Sequence, residues 1–260
     1  MHGISKFVII SFPRSGSGFL RTSLNSNPKI ACDGEIFHPD SSISLNALSE
    51  KSTQHILSKS FSKFKRTISN ERKLLVGLLS SNPEKFLKEF YVSRNDVTAL
   101  GFKIFFGHQD EILTNILKNE NVKKIILTRQ NMIRSYVSEL IALKSNIWIS
   151  KSGSNPLTKV KVDPNKLTQY VQSNMEKQDY VRNQIIGPSM WLDYETITKD
   201  KFDPKELITF IDKRILNETF SSPLKKQNPF SLPDMITNYS ELIDSISDQD
   251  LLEELQNETI

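Results

Sequence analysis

Short apolar runs alternate with stretches of helical periodicity along most of the chain. Lys6–Ser11 (KFVIIS) is a β-branched run that ends at Phe12-Pro13, which is typical of a buried strand. Where polar and apolar positions instead repeat every three or four residues, we expect amphipathic helices. The pattern predicts strands at 6–11, 100–106, 122–128 and 189–193. It predicts that a helix begins at 19–24, that 42–94 is mostly helical, and that further helices span 110–118, 131–144, 164–186 and 204–216.

This alternation predicts an α/β fold with a mostly parallel central sheet flanked by helices in three layers. No repeat or linker interrupts it, so we expect residues 1–260 to form a single domain. The segment after Phe230 is short and polar, and we expect it to wrap the surface. In such sheets, ligands bind at the carboxyl ends of the strands.

Composition narrows the class of protein without identifying it. Hydrophobic residues make up 37% and charged residues 25% of the chain, which fits a globular protein with a sizeable core. We expect a cytoplasmic protein, because apolar runs are short, no signal-peptide pattern is found, and the single cysteine excludes an internal disulfide. The net charge of +4 comes from 34 basic and 30 acidic residues, a mixed surface that suits a small anionic ligand and predicts no nucleic-acid partner.

The ten residues 11–20, SFPRSGSGFL, combine a strand end, a glycine-containing turn and a helix start, in a chain with only nine glycines. Backbone N–H groups and the positive end of a helix favour a phosphate or sulfate there, and Arg14 adds a cation. Placing the second glycine of the G-x-x-x-x-G-K-[ST] motif on Gly16 puts Ser17 at the lysine and Gly18 at the magnesium-binding hydroxyl. The loop therefore lacks the groups that position a γ-phosphate with Mg²⁺.

The segment FPRSGSGFL resembles the 5′-phosphosulfate loop of sulfotransferases that use 3′-phosphoadenosine 5′-phosphosulfate (PAPS), most closely the bacterial carbohydrate-type branch that includes trehalose and nodulation-factor sulfotransferases. The resemblance implies that Arg14 stabilises the transferring sulfuryl group. It also implies a P-loop-like fold and donor binding by the loop residues Arg14, Ser15, Gly16, Ser17, Gly18 and Phe19. Gly18 departs from the family, which has a hydroxyl residue there.

A second segment, residues 124–138 (KIILTRQNMIRSYVS), is similar to the 3′-phosphate site of the same family. It reads as a strand, an arginine at its end and a serine-bearing helix. The resemblance assigns Arg129 and Ser138 to the 3′-phosphate, and the chemistry agrees because arginine offers a forked donor to phosphate. The roles of Lys103, Trp148, the Tyr194-Glu195 pair and the segment around Lys226 are left open.

Sulfuryl transfer to a hydroxyl needs a base, and the segment 33–38, DGEIFH, offers candidates. The resemblance favours Glu35, whose pKa partial burial would have to raise, with Gly34 allowing close approach of the backbone to substrate. His38 and His108 are alternative bases. The sequence thus predicts a PAPS-dependent O-sulfotransferase that needs no metal and acts on a carbohydrate or other small hydroxyl acceptor, without membrane insertion. The sequence is also compatible with a homo-oligomer. The alternative functions are a P-loop-like kinase and a non-catalytic nucleotide-binding protein that keeps the fold.

Overall fold

The described residues of the computed structural model, 3–60, 68–92, 94–150 and 156–256, form a sheet of five parallel strands. The strands are ordered β2-β3-β1-β4-β5, and every neighbouring pair is parallel. Parallel pairing brings all the carboxyl ends to one edge of the sheet. Their bounds are β1 Ser5–Ser11, β2 Ile30–Asp33, β3 Ala99–Phe105, β4 Lys123–Thr128 and β5 Ser189–Asp193.

Helices cover both faces of the sheet, which confirms the predicted three-layer α/β fold. The stretch 42–94, predicted to be mostly helical, contains four helices between residues 41 and 90. Residues 61–67 and Ser93 of that stretch lie outside the described part of the chain. The helices are α1 Ser17–Asn25, α2 Ser41–Ala47, α3 Glu50–Ser60, α4 Ile68–Ser81, α5 Pro83–Phe90, α6 Asp110–Lys118, α7 Met132–Ser145, α8 Pro164–Gln184, α9 Tyr194–Ile197, α10 Lys205–Ile211, α11 Leu232–Met235, α12 Tyr239–Ser245 and α13 Gln249–Gln256.

The central strand β1 explains how the two faces are packed. Val8 and Ile10 point to the core beneath α3–α6, whereas Phe7 and Ile9 point to the core beneath α1 and α10. All four side chains are fully buried. A strand that is covered on both faces has a continuous run of apolar residues in its sequence. This is why the sequence of β1 predicts the strand.

Strand β2 was not predicted from the sequence. It has four residues, Ile30–Asp33, and two of them are a cysteine and an aspartate, so neither a β-branched run nor alternation is visible. Its outer edge is protected by Asn25, whose side-chain amide donates to the Cys32 carbonyl (2.8 Å) and accepts from the Cys32 N–H (2.7 Å). This pairing covers an edge that would otherwise offer unpaired backbone groups.

The expectation that the segment after Phe230 only wraps the surface is wrong. Its helices α11, α12 and α13 bury Leu232, Leu242 and Leu255, each fully, in a third core cluster. The partners of that cluster include Ile133 and Val137 of α7. The segment is polar in composition, but its apolar residues recur at helical spacing and join the cluster that includes α7 residues.

The helix predicted at 204–216 is also shorter than expected. It ends at Ile211, and Asp212 leaves the helical conformation. No helix within the described ranges is long and apolar enough to span a membrane.

Candidate active site

The loop after β1 lies at the carboxyl edge of the sheet and is shaped by two residues with positive φ. Arg14 has φ 61° and Gly16 has φ 84°, and α1 begins directly afterwards at Ser17. Residues other than glycine adopt this left-handed region rarely, so the conformation of Arg14 must be stabilised by its surroundings. The Arg129 side chain contributes to this stabilisation, because its Nη1 donates to the Arg14 carbonyl at 2.9 Å.

The guanidinium of Arg14 joins three segments that are distant in sequence. Its Nε donates to the Ser138 hydroxyl at 3.0 Å, one Nη donates to the Trp148 carbonyl at 2.7 Å, and the other donates to the Gln227 side chain. Ser138 also accepts from Asn228 at 3.1 Å. Thus the two predicted phosphate motifs, around Arg14 and around Ser138, meet at one place, and residues 227–228 complete their contact.

Positive charge accumulates around this loop. Burial and the neighbouring Arg129 lower the pKa of Arg14, and burial and Arg129 likewise lower the pKa of Arg134. Burial together with Arg134 and Arg129 lowers the pKa of Lys226. Four cations crowd one another at the carboxyl edge, and an anion of several charges would relieve their repulsion.

The carboxylates near these cations belong to Glu139, Glu195 and Glu254. Glu195 lies 3.8 Å from Arg129 Nε and accepts the N–H of Gln130, while Glu254 accepts the N–H of Ile133 at 2.9 Å. Burial raises the pKa of Glu139 and that of Glu254. Two of the three carboxylates are therefore partly engaged by backbone amides, and the sequence did not single out Glu139 or Glu254.

Both serines of the loop are buried. The hydroxyl of Ser15 donates to the Phe12 carbonyl at 2.7 Å and so stabilises the turn. Ser17 is buried at the first position of α1. Phe19 is partly buried on α1 and meets Phe220 edge to face, with ring centroids 6.3 Å apart.

Gly16 is needed for a second reason besides its positive φ. A Cβ atom there would lie 2.2 Å from the ring of Tyr194, which packs flat against the loop. The same ring stacks under the Arg129 guanidinium at 4.6 Å. Tyr194 therefore holds both the turn and the arginine in place, and no local sequence pattern predicts this contact.

A second cluster combines Lys103 of β3 with three residues that follow the strands, Glu35 and His38 after β2 and His108 after β3. Glu35 Oε1 lies 2.7 Å from Lys103 Nζ, and its Oε2 lies 4.0 Å from His38 Nε2. The rings of His38 and His108 meet edge to face with centroids 4.7 Å apart. Burial lowers the pKa of Lys103, which Glu35 opposes, and burial lowers the pKa of His108 to about 4. His108 is therefore neutral at pH 7.

Hydrogen bonding distinguishes these groups chemically. The Nδ1 atom of His38 accepts the Asp40 N–H at 2.9 Å, so in the neutral ring the proton is on Nε2, facing Glu35. Nε2 then has no lone pair for a proton or a metal ion. Although Glu35, His38 and His108 offer ligand atoms within 4.8 Å of one another, this tautomer and the Lys103 ammonium suit proton transfer better than metal binding.

Gly34 has a packing role that differs from the expected one. A Cβ atom there would lie 3.0 Å from that of Ala47, at the end of α2, and the Gly34 N–H donates to the Ala47 carbonyl at 2.9 Å. Its backbone thus approaches α2. The expected approach to a substrate has no support in these contacts.

The two clusters lie on the same edge of the sheet. Arg14 follows β1, Glu35 follows β2, and β3 lies between these strands. Two strand spacings, about 10 Å, therefore separate the ends of β1 and β2 from which the two clusters start.

Comparison with known proteins adds little to this geometry. No protein-family model and no curated protein sequence matches the chain. The sulfotransferase from Alicyclobacillus acidocaldarius superposes with a TM-score of 0.45 at 12% identity, over 100% of this chain and 98% of the other. The sulfotransferase domain of the Synechococcus PCC 7002 olefin synthase gives 0.46 at 16% identity, over 100% and 90%. Both likenesses are weak.

Proposed function

We propose that this protein is a sulfotransferase that moves the sulfuryl group of PAPS to a hydroxyl of a carbohydrate or another small acceptor. The observation that carries this proposal is the meeting of Arg14 with Ser138 across the carboxyl edge, while Arg129 holds the Arg14 carbonyl. PAPS would supply an activated sulfuryl group together with a 5′-phosphate and a 3′-phosphate, and this charge distribution suits a cluster of partly buried cations.

Different residues of the chain bind the two ends of the donor. The N–H groups at the start of α1 and Arg14 bind and polarise the 5′ end, where negative charge develops as the group is transferred. Arg129 and Ser138 bind the 3′-phosphate and so select against ATP. Since Ser17 and Gly18 stand where a kinase has lysine and a magnesium-binding hydroxyl, the loop favours transfer without a metal ion.

Glu35 takes the proton of the acceptor hydroxyl. The Lys103 ammonium at 2.7 Å holds its carboxylate in place, and His38 presents an N–H to its other oxygen. His38 is less suited to act as the base because its lone pair on Nδ1 is already used by Asp40. His108 is neutral at pH 7 and is the remaining alternative.

The choice of donor is tested by calorimetric titration with adenosine 3′,5′-bisphosphate and with ADP. We expect the bisphosphate to bind more tightly, and we expect Ser138→Ala to weaken it by about 10-fold, because a hydrogen bond to a charged group is lost. Ser245→Ala is the control and should leave both affinities unchanged, because this exposed serine lies on α12 and its hydroxyl donates only to the Glu241 carbonyl one turn earlier. Equal affinity for the two nucleotides would contradict the proposal.

The identity of the base is tested by Glu35→Gln, which keeps size and removes the proton acceptor. We expect turnover to fall by at least about 100-fold, the lower range for general base catalysis, with bisphosphate affinity unchanged. Glu111→Gln, an exposed position on α6, serves as the control. If Glu35→Gln retained full activity, the base would have to be His108 or another group.

A further inference from the structure

A polar groove runs along the outer edge of β2, on the side away from the donor loop. Its volume is about 470 Å³, within the range of about 300–1,000 Å³ that is typical of small-molecule sites. Most of its lining is hydrophilic, which suits a molecule with many hydroxyl groups. The polar side chains used below are Arg21, Asn25, Asp33, Ser49, Arg94 and Asp96.

Most of these lining groups are already paired. Asp33 accepts the N–H of Ser49 at 3.1 Å, and Asp96 receives two hydrogen bonds from Arg94, at 2.8 and 2.9 Å. Arg21 differs, because it makes no hydrogen bond or ion pair with any residue in the described part of the chain. Its partly buried guanidinium can donate to an anionic group, although the four charged side chains that line the groove, Arg21, Arg94, Asp33 and Asp96, sum to zero.

The groove lies close in sequence to the proposed base. Asp33, at the end of β2, lines it, and Glu35 comes two residues later in the turn that follows this strand. On β3, Lys103 lies on the same face as Gly101 and Ala99, because every second residue of a strand shares a face, and Ala99 packs in the same cluster as Leu20 of α1. Lys103 therefore points to the side of the sheet that carries Arg21, and repulsion from Arg21 contributes to the lowered pKa of Lys103.

We propose that this groove binds the acceptor, and that the acceptor is a hydroxylated molecule with a carboxylate, phosphate or sulfate that pairs with Arg21. This inference rests on the proposed function for the transfer itself, but binding in the groove does not. A molecule anchored at Arg21 would extend along β2 toward Glu35, so that one hydroxyl reaches the base while the charged group remains in the groove.

Ligand-observed NMR with no nucleotide present tests binding alone, with glucuronate, glucose 6-phosphate and glucose as probes. We expect the two anions to bind the wild-type protein at least about 10-fold more tightly than glucose, because a charged pair adds to the hydroxyl contacts. Arg21→Gln should abolish this difference, and Arg21→Lys should retain part of it. Arg182→Gln, at an exposed arginine on α8, is the matched control.

The second measurement is sulfuryl transfer to the same three probes. Arg21→Gln should lower kcat/KM for the preferred anion by about 10-fold to 100-fold and leave the affinity for adenosine 3′,5′-bisphosphate unchanged. Equal binding of anions and glucose by the wild type, or anion binding that survives Arg21→Gln, would overturn the inference. A protein that binds the anions through Arg21 but shows no preference for the bisphosphate would instead contradict the proposed function.

Discussion

At the scale of single residues, the loop after β1 contains two glycines with opposite requirements. Gly16 has φ 84° and would place a Cβ atom 2.2 Å from the Tyr194 ring. Gly18 is helical, and a Cβ atom there would lie 3.5 Å from Leu224, an ordinary contact. The backbone therefore requires glycine at Gly16 only. At Gly18 the structure has space for a small side chain.

We expect Gly16→Ala to lower the free energy of unfolding by about 1–3 kcal/mol, because alanine is strained at positive φ and Tyr194 must move. Gly18→Ala should raise it by up to about 1 kcal/mol, since alanine loses less backbone entropy in a helix. Urea unfolding of both variants measures the difference. Equal effects at the two positions would show that the loop does not have this conformation in solution.

At the scale of elements, the three C-terminal helices form part of the support of the site. Their buried residues share a core cluster with α7, the helix that carries Ser138, and Glu254 of α13 accepts the Ile133 N–H at the start of α7. Glu254 thus satisfies one of the free amides at a helix N-terminus. The position of Ser138 toward Arg14 depends on contacts made by residues more than 90 positions later in the chain.

Leu242 on α12 tests this support. It is fully buried, and we expect Leu242→Ala to lower the free energy of unfolding by about 2–5 kcal/mol through lost apolar contact and the cavity that remains. Leu216→Ala is the matched control, because Leu216 is 89% exposed and should change stability by less than about 0.5 kcal/mol. Chemical denaturation gives both values. A small effect at Leu242 would mean that the C-terminal helices are not part of the folded core.

At the scale of the whole molecule, two groups make stability fall as the solution is acidified. Burial lowers the pKa of His108 to about 4, so charging its ring costs more in the folded state. At Asp212, burial acts to raise the pKa, but hydrogen bonds from Arg214 and Ser5 outweigh it and lower that pKa to about 2. Arg214 also donates to the Gly3 carbonyl at 3.0 Å, so this pair ties the end of α10 to the start of β1.

Protonation of either group lowers the free energy of unfolding, but His108 and Asp212 act over different pH ranges. A lowered histidine pKa costs stability as the pH falls from about 6.5 toward 4, and a lowered aspartate pKa costs stability from about 4 toward 2. We expect His108→Gln to flatten the upper range and Asp212→Asn the lower one. Urea unfolding at several pH values tests this, and an unchanged slope in either variant would contradict the corresponding assignment.

The sequence by itself determined the parts of the protein that depend on neighbouring residues. Strand β1, the loop from Arg14 to Gly18 and helix α6 follow from apolar runs, turn residues and helical periodicity, all of which act over a few positions. The alternation of strands and helices further determined the parallel sheet and the edge where a site must lie. Strand β2 and the C-terminal core were not predicted correctly, because the first is too short and the second too polar on average.

Only the tertiary structure decided which of the predicted residues act together. Arg14 and Ser138 are 124 positions apart, and Arg14 and Gln227 are 213 apart, so their contact depends on the packing of the whole chain. The same holds for Tyr194 on Gly16, for Lys103 beside Glu35 and for Arg21 in its groove. Local periodicity specifies which face of an element is buried, but the partner across that face is determined by how all the elements pack together.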